Sequence, residues 1–245
     1  MKRILKAFLF APVLTFVFAA CGGTDTIRIA TIGDYEPFNF ITTEGEISGM
    51  ERELGDELCL RAQLECVWVP HDWELMIPGV IAEEFDVILT GMSITDKREE
   101  SIDFTEPYYP AVPAVYLTLV EASEEVMNGT IGITANTIYS EYYDEQGLPY
   151  VPLDVTVDAA QAVLSGEVDA VLVDHGYAVE RIAKHADELT TVDKGVMFDR
   201  GLGIGLRQGS ELKDKFNEAI ASMKEDGTLN ELIIKWLGEE AATFE

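Results

Sequence analysis

Glu84-Phe85-Asp86-Val87-Ile88-Leu89 and Glu167-Val168-Asp169-Ala170-Val171-Leu172 decide the fold. Each closes an amphipathic helical stretch and enters a fully apolar run. A polar cluster follows each run, Gly91-Met92-Ser93 in the first and Asp174-His175-Gly176 in the second. A short continuous apolar run fits a strand buried on both faces, as in parallel sheets. The flanks agree: 26–32 reads as strand, 50–60 as helix, 64–69 as strand and 73–84 as helix before the first run. Before the second, 130–134 reads as strand, 137–145 as helix, 150–153 as strand and 157–165 as helix. This repeated alternation predicts two α/β units of about 90 residues, with chemistry at the carboxyl ends of equivalent strands and a ligand in the cleft between them.

Residues 108–113, with two prolines, read as one crossing between the units. The glycine- and β-branched-rich stretch 194–206 reads as the return. Residues 210–237 are strongly helical and are expected to pack back on the first unit. The expected division is therefore 26–110 with 200–245 in lobe 1 and 111–199 in lobe 2, joined by a two-strand hinge.

Composition narrows the function. The chain has 245 residues, 47% hydrophobic, which is enough for one good core or two modest ones and excludes a disordered chain. Its 45 acidic against 17 basic side chains give a net charge of −28 and exclude a nucleic-acid binder, because a phosphate backbone is repelled. No apolar run reaches the roughly 18–20 residues of a membrane span.

The amino terminus reads as an address. Lys2, Arg3 and Lys6 precede an apolar stretch over 7–20, broken only by Thr15, and then Cys21-Gly22-Gly23. This is the layout of a secretory signal over 1–20. Phe18-Ala19-Ala20-Cys21-Gly22 resembles a bacterial lipoprotein box, in which Cys21 is lipidated and 21–25 form a tether to the membrane. The alternative is an ordinary secreted protein with Cys21 free. Losing 1–20 removes three positive charges and no negative ones from −28, leaving −31.

Export leaves Cys59 and Cys66 in an oxidising compartment, where a disulfide is the natural pairing. A metal site is the competing reading, but it lacks ligands: His71, His175 and His185 have no zinc-like spacing to one another or to the cysteines. No metal or cofactor is expected.

Gly91-Met92-Ser93-Ile94-Thr95-Asp96-Lys97-Arg98-Glu99-Glu100 carries the most chemistry. Thr95 or Asp96 can cap a short helix running to about Ile102, and Glu99 sits at capping-box distance from Asp96. Lys97 and Arg98 then fall in the first turn, where the helix dipole disfavours cations. The placement makes sense if an anion sits at the helix start, facing both dipole and guanidinium. The alternative is a surface arginine paired with Glu99 or Glu100.

The run from Phe85 to Arg98, continuing to Asp103-Phe104-Thr105-Glu106-Pro107-Tyr108-Tyr109, resembles the extracellular solute-binding proteins of family 3, the polar amino-acid receptors of ABC importers. Tyr35-Glu36-Pro37-Phe38, the Cys59/Cys66 pair, Asp72-Trp73, Gly203-Ile204-Gly205-Leu206-Arg207 and Gly227-Thr228-Leu229 with Trp236 extend the resemblance over the mature chain. It implies a two-lobed periplasmic-binding-protein fold of type II, a free amino acid as ligand, ABC permease subunits as partners and a monomer.

By the same resemblance, Arg98 matches the arginine that holds the ligand α-carboxylate. Thr90, Gly91 and Ser93 match cleft groups, the last two around the α-amino end, and Asp174 matches the carboxylate that accepts the α-ammonium. Tyr35 and Trp73 match the aromatics that sandwich the ligand side chain. Thr137, or the backbone amides of Asn136 to Ile138, match second-lobe carboxylate donors. Two positions depart. Receptors for basic amino acids tend to carry an acid where Ile32 stands, and a glycine is common where Asn136 stands, with Ile138 replacing a polar residue. Both departures weaken a lysine- or arginine-like ligand.

The rival class is an enzyme. A few relatives of this fold are prephenate or arogenate dehydratases, and Asp174 or Glu36 could serve as general acid. Against it, an Asp answering an Arg suits a zwitterion, and the chain has no nucleophile elbow or phosphate loop. Gly201-Leu202-Gly203-Ile204-Gly205 lacks the spacing of a nucleotide loop. A sensor presenting its liganded form to a membrane receptor is a third class.

Overall fold

The computed structural model describes residues 26–245; the expected signal, the tether and Cys21 lie outside the described residues. Strand β1 (Ile27–Thr31) is followed by β2 (Asp34–Tyr35), β3 (Asn39–Ile41) and β4 (Ile47–Ser48), which form a small antiparallel sheet of their own. Helix α1 (Met50–Arg61) leads to β5 (Cys66–Pro70), and a 3-10 turn over Trp73–Leu75 opens α2 (Met76–Ile81). Then come β6 (Val87–Ile88), α3 (Asp96–Glu99) and β7 (Asp103–Phe104).

The second half runs β8 (Ala114–Leu119), β9 (Ile131–Thr134), α4 (Ile138–Gln146) and β10 (Val151–Leu153). It continues through α5 (Ala159–Leu164), β11 (Ala170–Val173), α6 (His175–Lys184) and β12 (Leu189–Val196). Strand β13 (Gly205–Leu206), α7 (Leu212–Glu225) and α8 (Thr228–Leu237) close the chain.

The two large sheets have the orders β5-β1-β6-β13-β7 and β10-β9-β11-β8-β12. Strand β1 lies parallel to β5 and β6, and β9 lies parallel to β10 and β11. The two echoing segments therefore supply the central strand of each sheet. Beside each central strand runs a crossing strand, β13 against β6 and β8 against β11, and both are antiparallel. The sheets are thus mixed rather than purely parallel. A chain arriving from the other half enters at the carboxyl ends of the parallel strands and has to run the opposite way.

Strand residues alternate between two cores in each half, as a period of two requires. Ile27, Ile29, Val87 and Leu89 face α1, α7 and α8, whereas Ala30 and Ile88 pack with Met76, Val80 and Phe85 around α2. Leu117, Val171 and Val173 pack with Ala160 and Val163 of α5, whereas Tyr116, Ala170 and Leu172 pack with Tyr139 and Tyr143 of α4.

The expected helix over 73–84 is a 3-10 turn followed by a short α-helix. Pro78, which lacks an N–H, is tolerated there only because it falls in the first turn of α2. The helical tail is two helices, broken where Gly227 takes φ +85°. As expected, it packs on the first half, where Phe216, Ile220 and Ile233 meet Leu54 and Leu58 of α1.

Cys59 of α1 is bonded to Cys66, the first residue of β5, across a Cα–Cα distance of 6.3 Å. The two crossings run side by side. The Tyr108 N–H donates to the Leu202 carbonyl at 2.9 Å, the Leu202 N–H donates to the Tyr109 carbonyl at 3.1 Å, and Val196 lies opposite Ala114.

Candidate functional site

A cavity of about 400 Å³ lies between the carboxyl ends of the strands of both sheets. Tyr35, Trp73, Thr90, Gly91, Ser93, Arg98, Thr137 and Asp174 line it; Asn136 does not, and borders a neighbouring groove instead.

The first wall follows from the end of β6. The Thr90 hydroxyl accepts the Ile32 N–H at 3.0 Å, which ties the ends of β1 and β6 together. Gly91 has φ +62°, and a Cβ there would stand 3.0 Å from the Tyr35 ring, so glycine is needed both for the turn and for the close approach. Thr95, not Asp96, caps α3: its hydroxyl accepts the Arg98 N–H at 3.3 Å, and the expected pairing of Glu99 with Asp96 as a capping box is absent. The helix stops at Glu99, short of Ile102.

This short turn folds the Arg98 side chain back into the cleft. Its Nη1 donates to the Ser93 carbonyl at 2.9 Å, and the guanidinium carbon lies 5.4 Å from the Trp73 ring centre. Arg98 forms no ion pair among the described residues; Glu99 pairs with Arg200 instead, and Lys97 with Glu141 at 2.9 Å. Burial holds the Arg98 pKa below its ordinary value, with Glu141, Asp199 and Asp174 acting against that from a distance. A withdrawn guanidinium with no paired carboxylate is a site for an anion.

The opposite wall is built at the ends of β9 and β11. Asp174 occupies the cap position of α6 but makes no capping bond. Its carboxylate instead accepts the Tyr139 hydroxyl at 2.7 Å and the Tyr35 hydroxyl across the cleft. Burial pushes the Asp174 pKa up, and the two phenols oppose the shift. Thr137 begins α4 in a capping box with Ser140, and its hydroxyl also donates to the Thr134 carbonyl at 2.7 Å. Its polar groups are therefore committed to the turn. The N–H groups of Ile138 and Tyr139, whose residues line the cavity, belong to the first turn and have no intrahelical acceptor.

Direct contacts join the walls. The Trp73 indole N–H donates to the Asn136 carbonyl at 2.9 Å, and the Asn136 amide donates to Glu74 at 2.6 Å. At the other end Glu36 pairs with Lys184 at 2.9 Å and Arg181 at 3.6 Å. The Tyr35 ring lies between Phe38 and Tyr177, with centroids at 5.2 and 5.9 Å and planes within 10° and 8°.

Among the lining residues that escaped the sequence reading are the polar side chains of Asp34, Tyr139, Asp158, Tyr177 and Arg181. Asp34 stands immediately before Tyr35, a proximity visible in the sequence. The legible signal of Asp158 is its capping of α5, where it accepts the Ala160 N–H at 3.0 Å. Tyr139, Tyr177 and Arg181 lie on helices whose periodicity does not mark a cleft face. Arg181 is buried and paired with Asp158 at 3.2 Å, whereas Asp34 makes no side-chain hydrogen bond or ion pair among the described residues. Burial and the Asp158 charge push the Asp34 pKa up. No group of three or more His, Cys, Asp or Glu side chains is arranged to hold a metal among the described residues.

Two α/β lobes with repeated strand order, a double crossing and a polar cleft at the strand ends define a periplasmic-binding-protein fold of type II. Residues 27–239 match the family model of bacterial extracellular solute-binding proteins, family 3, and the chain belongs to that family. It is 29% identical to the lysine/arginine/ornithine-binding periplasmic protein of Escherichia coli K12, covering 96% of each chain. It is 30% identical to the histidine-binding periplasmic protein of the same strain, covering 96% of this chain and 97% of that one. A periplasmic His/Glu/Gln/Arg/opine family-binding protein from Silicibacter pomeroyi, solved in complex with lysine, superposes with a TM-score of 0.81 at 43% identity, covering 89% of this chain and all of that one.

Proposed function

We propose that the protein is the receptor of an ABC importer, capturing a free amino acid with a cationic side chain. Arg98 carries the reading: it is a withdrawn cation in the cleft with no paired acid among the described residues. An α-carboxylate answers it, and the Asp174 carboxylate, which has phenols but no cation beside it among the described residues, answers an α-ammonium. Ser93, Gly91 and the first-turn amides of α4 complete the polar frame, and Trp73 and Tyr35 border the side-chain space.

The charge left over decides the side chain. Arg181 and Lys184 are engaged with Asp158, Glu36 and Glu180, and a zwitterion uses Arg98 and Asp174. Asp34 then remains as an unpaired carboxylate in the same cavity, two positions after Ile32. It supplies the acid whose absence at Ile32 weakened a lysine- or arginine-like ligand. The relatives named for lysine, arginine, ornithine or histidine, and the neighbour solved with lysine, support that choice.

Lobe limits of 26–110 with 200–245 and 111–199, a periplasmic location, a lipid anchor at Cys21, permease subunits as partners, a monomeric state and the lack of an enzymatic activity belong to this reading. The test is a thermal-shift screen of unfolded and refolded protein against the twenty amino acids and prephenate. Ligand at about 100 times Kd adds roughly 2.7 kcal/mol of stability. Shifts with lysine or arginine, lost in R98A and D174A, support the receptor. Silence across the amino acids overturns it, and a shift with prephenate followed by its turnover in a dehydratase assay establishes the enzyme instead.

A further inference from the structure

Glu51, the second residue of α1, is fully buried yet has no cation beside it among the described residues. Its Oε1 accepts the Gly91 N–H at 2.6 Å and the Tyr108 hydroxyl, and its Oε2 accepts the Asn39 amide at 2.6 Å. The Asn39 carbonyl oxygen in turn accepts the Gly33 N–H at 2.9 Å. One carboxylate thus reaches three segments that are distant in sequence. Gly91 belongs to the cleft wall, Gly33 opens the turn carrying Asp34 and Tyr35, and Tyr108 begins the first crossing, bonded to Leu202 of the second. A buried carboxylate costs free energy unless its lone pairs are filled, and here every neighbour is a donor.

We infer that Glu51 is a positioning residue for ligand capture: its carboxylate holds the Gly91 wall, the Gly33–Tyr35 turn and the hinge entry in one frame. The inference rests on reading the cleft as an amino-acid site. Burial pushes the Glu51 pKa up, and the three donors oppose the shift, so their bonds and its charge sustain one another. Glutamine is the same size but cannot replace it. Its amide nitrogen has to face either the Gly91 N–H and Tyr108 or the Asn39 amide. If it faces Asn39, that side chain has to turn over, which presents its NH₂ to the Gly33 N–H. One arm of the frame is lost either way.

The experiment compares wild type, Glu51→Gln and Asn39→Ala as full chains. It reads the Gly91 and Gly33 amide resonances by ¹H–¹⁵N NMR, the Kd for L-lysine and L-arginine, and the melting temperature without ligand. Positioning predicts a folded Glu51→Gln protein with displaced Gly91 or Gly33 resonances and a Kd raised about tenfold or more, measured well below melting. A merely structural role lowers the melting temperature and leaves the Kd of the folded protein within twofold, which overturns the inference. If Glu51→Gln does not fold, Asn39→Ala decides, because it removes the link from Glu51 to Gly33 and leaves the Gly91 and Tyr108 donors in place: a weakened Kd supports the frame and an unchanged one overturns it. Wild type that binds no amino acid overturns the receptor reading instead, and displacement of Gly33 in Glu51→Gln, or its absence, then decides whether the carboxylate holds that turn.

Discussion

Trp73 and Asn136 meet across the cleft, the indole N–H of one lobe donating to the backbone carbonyl of the other at 2.9 Å. Asn136 can present that carbonyl because its backbone is left-handed, with φ +58°, a conformation asparagine tolerates better than most residues. Its side chain adds the bond to Glu74, so one residue closes two contacts.

Replacing Asn136 separates those contributions. N136G loses only the bond to Glu74, at a cost of about 1 kcal/mol. N136A loses the same bond and keeps a left-handed backbone that alanine resists, adding about 1 kcal/mol more. Thermal unfolding should therefore rank wild type above N136G and N136G above N136A; equal melting of the two variants would show that backbone conformation is not what asparagine contributes.

Arg98 is expected to trade stability for binding. R98A should abolish measurable amino-acid binding, a loss of about 100-fold or more, because a paired charge in the cleft carries several kcal/mol. R98K keeps the charge but not the planar fork and should recover only part of it. The ligand-free R98A protein should melt no lower than wild type, since the removed cation has no paired acid among the described residues. Calorimetry read beside ligand-free melting checks both halves, and a marked drop in melting temperature would return Arg98 to a structural role.

Asp34 makes lysine binding depend on pH. Its folded pKa is raised, so the ionised form is the disfavoured one, and a bound cationic side chain reverses the shift by favouring ionisation. Binding thus expels a proton once pH falls near that raised value, and lysine affinity should decline there more steeply than that of a neutral amino acid. D34N should remove the difference. By the same sign, stability contributed by protonated Asp34 is lost as pH rises through its folded value, so D34N should stabilise the ligand-free protein at neutral pH. Calorimetric titrations of wild type and D34N between acidic and neutral pH, beside ligand-free melting of each, read this out.

The disulfide closes a short loop between Cys59 and Cys66, seven positions apart. Chain-entropy arguments assign such a loop about 2.5 kcal/mol. C59A/C66A should therefore melt roughly 5–10 °C lower, at about 2–4 °C per kcal/mol for a chain of this size. Amino-acid affinity should be unchanged, because the bond joins α1 to the far end of β5. A change in Kd larger than the change in stability would contradict that separation.

Much of the fold is legible in one dimension because strands buried on both faces leave unbroken apolar runs. Val87-Ile88-Leu89 and Val171-Leu172-Val173 identify the central strands, and the helices between them follow from their own periodicity. The antiparallel strands beside them are not legible: Gly205–Leu206 enters the first sheet only because the chain has already crossed the hinge twice. Helix ends are partly hidden for a related reason. Thr95 and Asp96 are both able caps, and the choice falls on the residue whose hydroxyl meets the Arg98 N–H.

Residue types alone determined that this chain has two repeated α/β halves, two crossings, a cysteine pair suited to a disulfide and an arginine set unusually in a first helical turn. Those are local properties, carried by apolar spacing, charge and capping chemistry within a dozen residues. Tertiary structure decided which charges remain without partners. Asp34 lies more than a hundred positions from Asp158 and Arg181, and only folding shows that Arg181 pairs with Asp158 while Asp34 lines the same cleft without an ion pair among the described residues. The same holds for Glu51, whose three donors come from Asn39, Gly91 and Tyr108. Charge pairing falls off over a few ångströms of space, and distance along the chain does not record it.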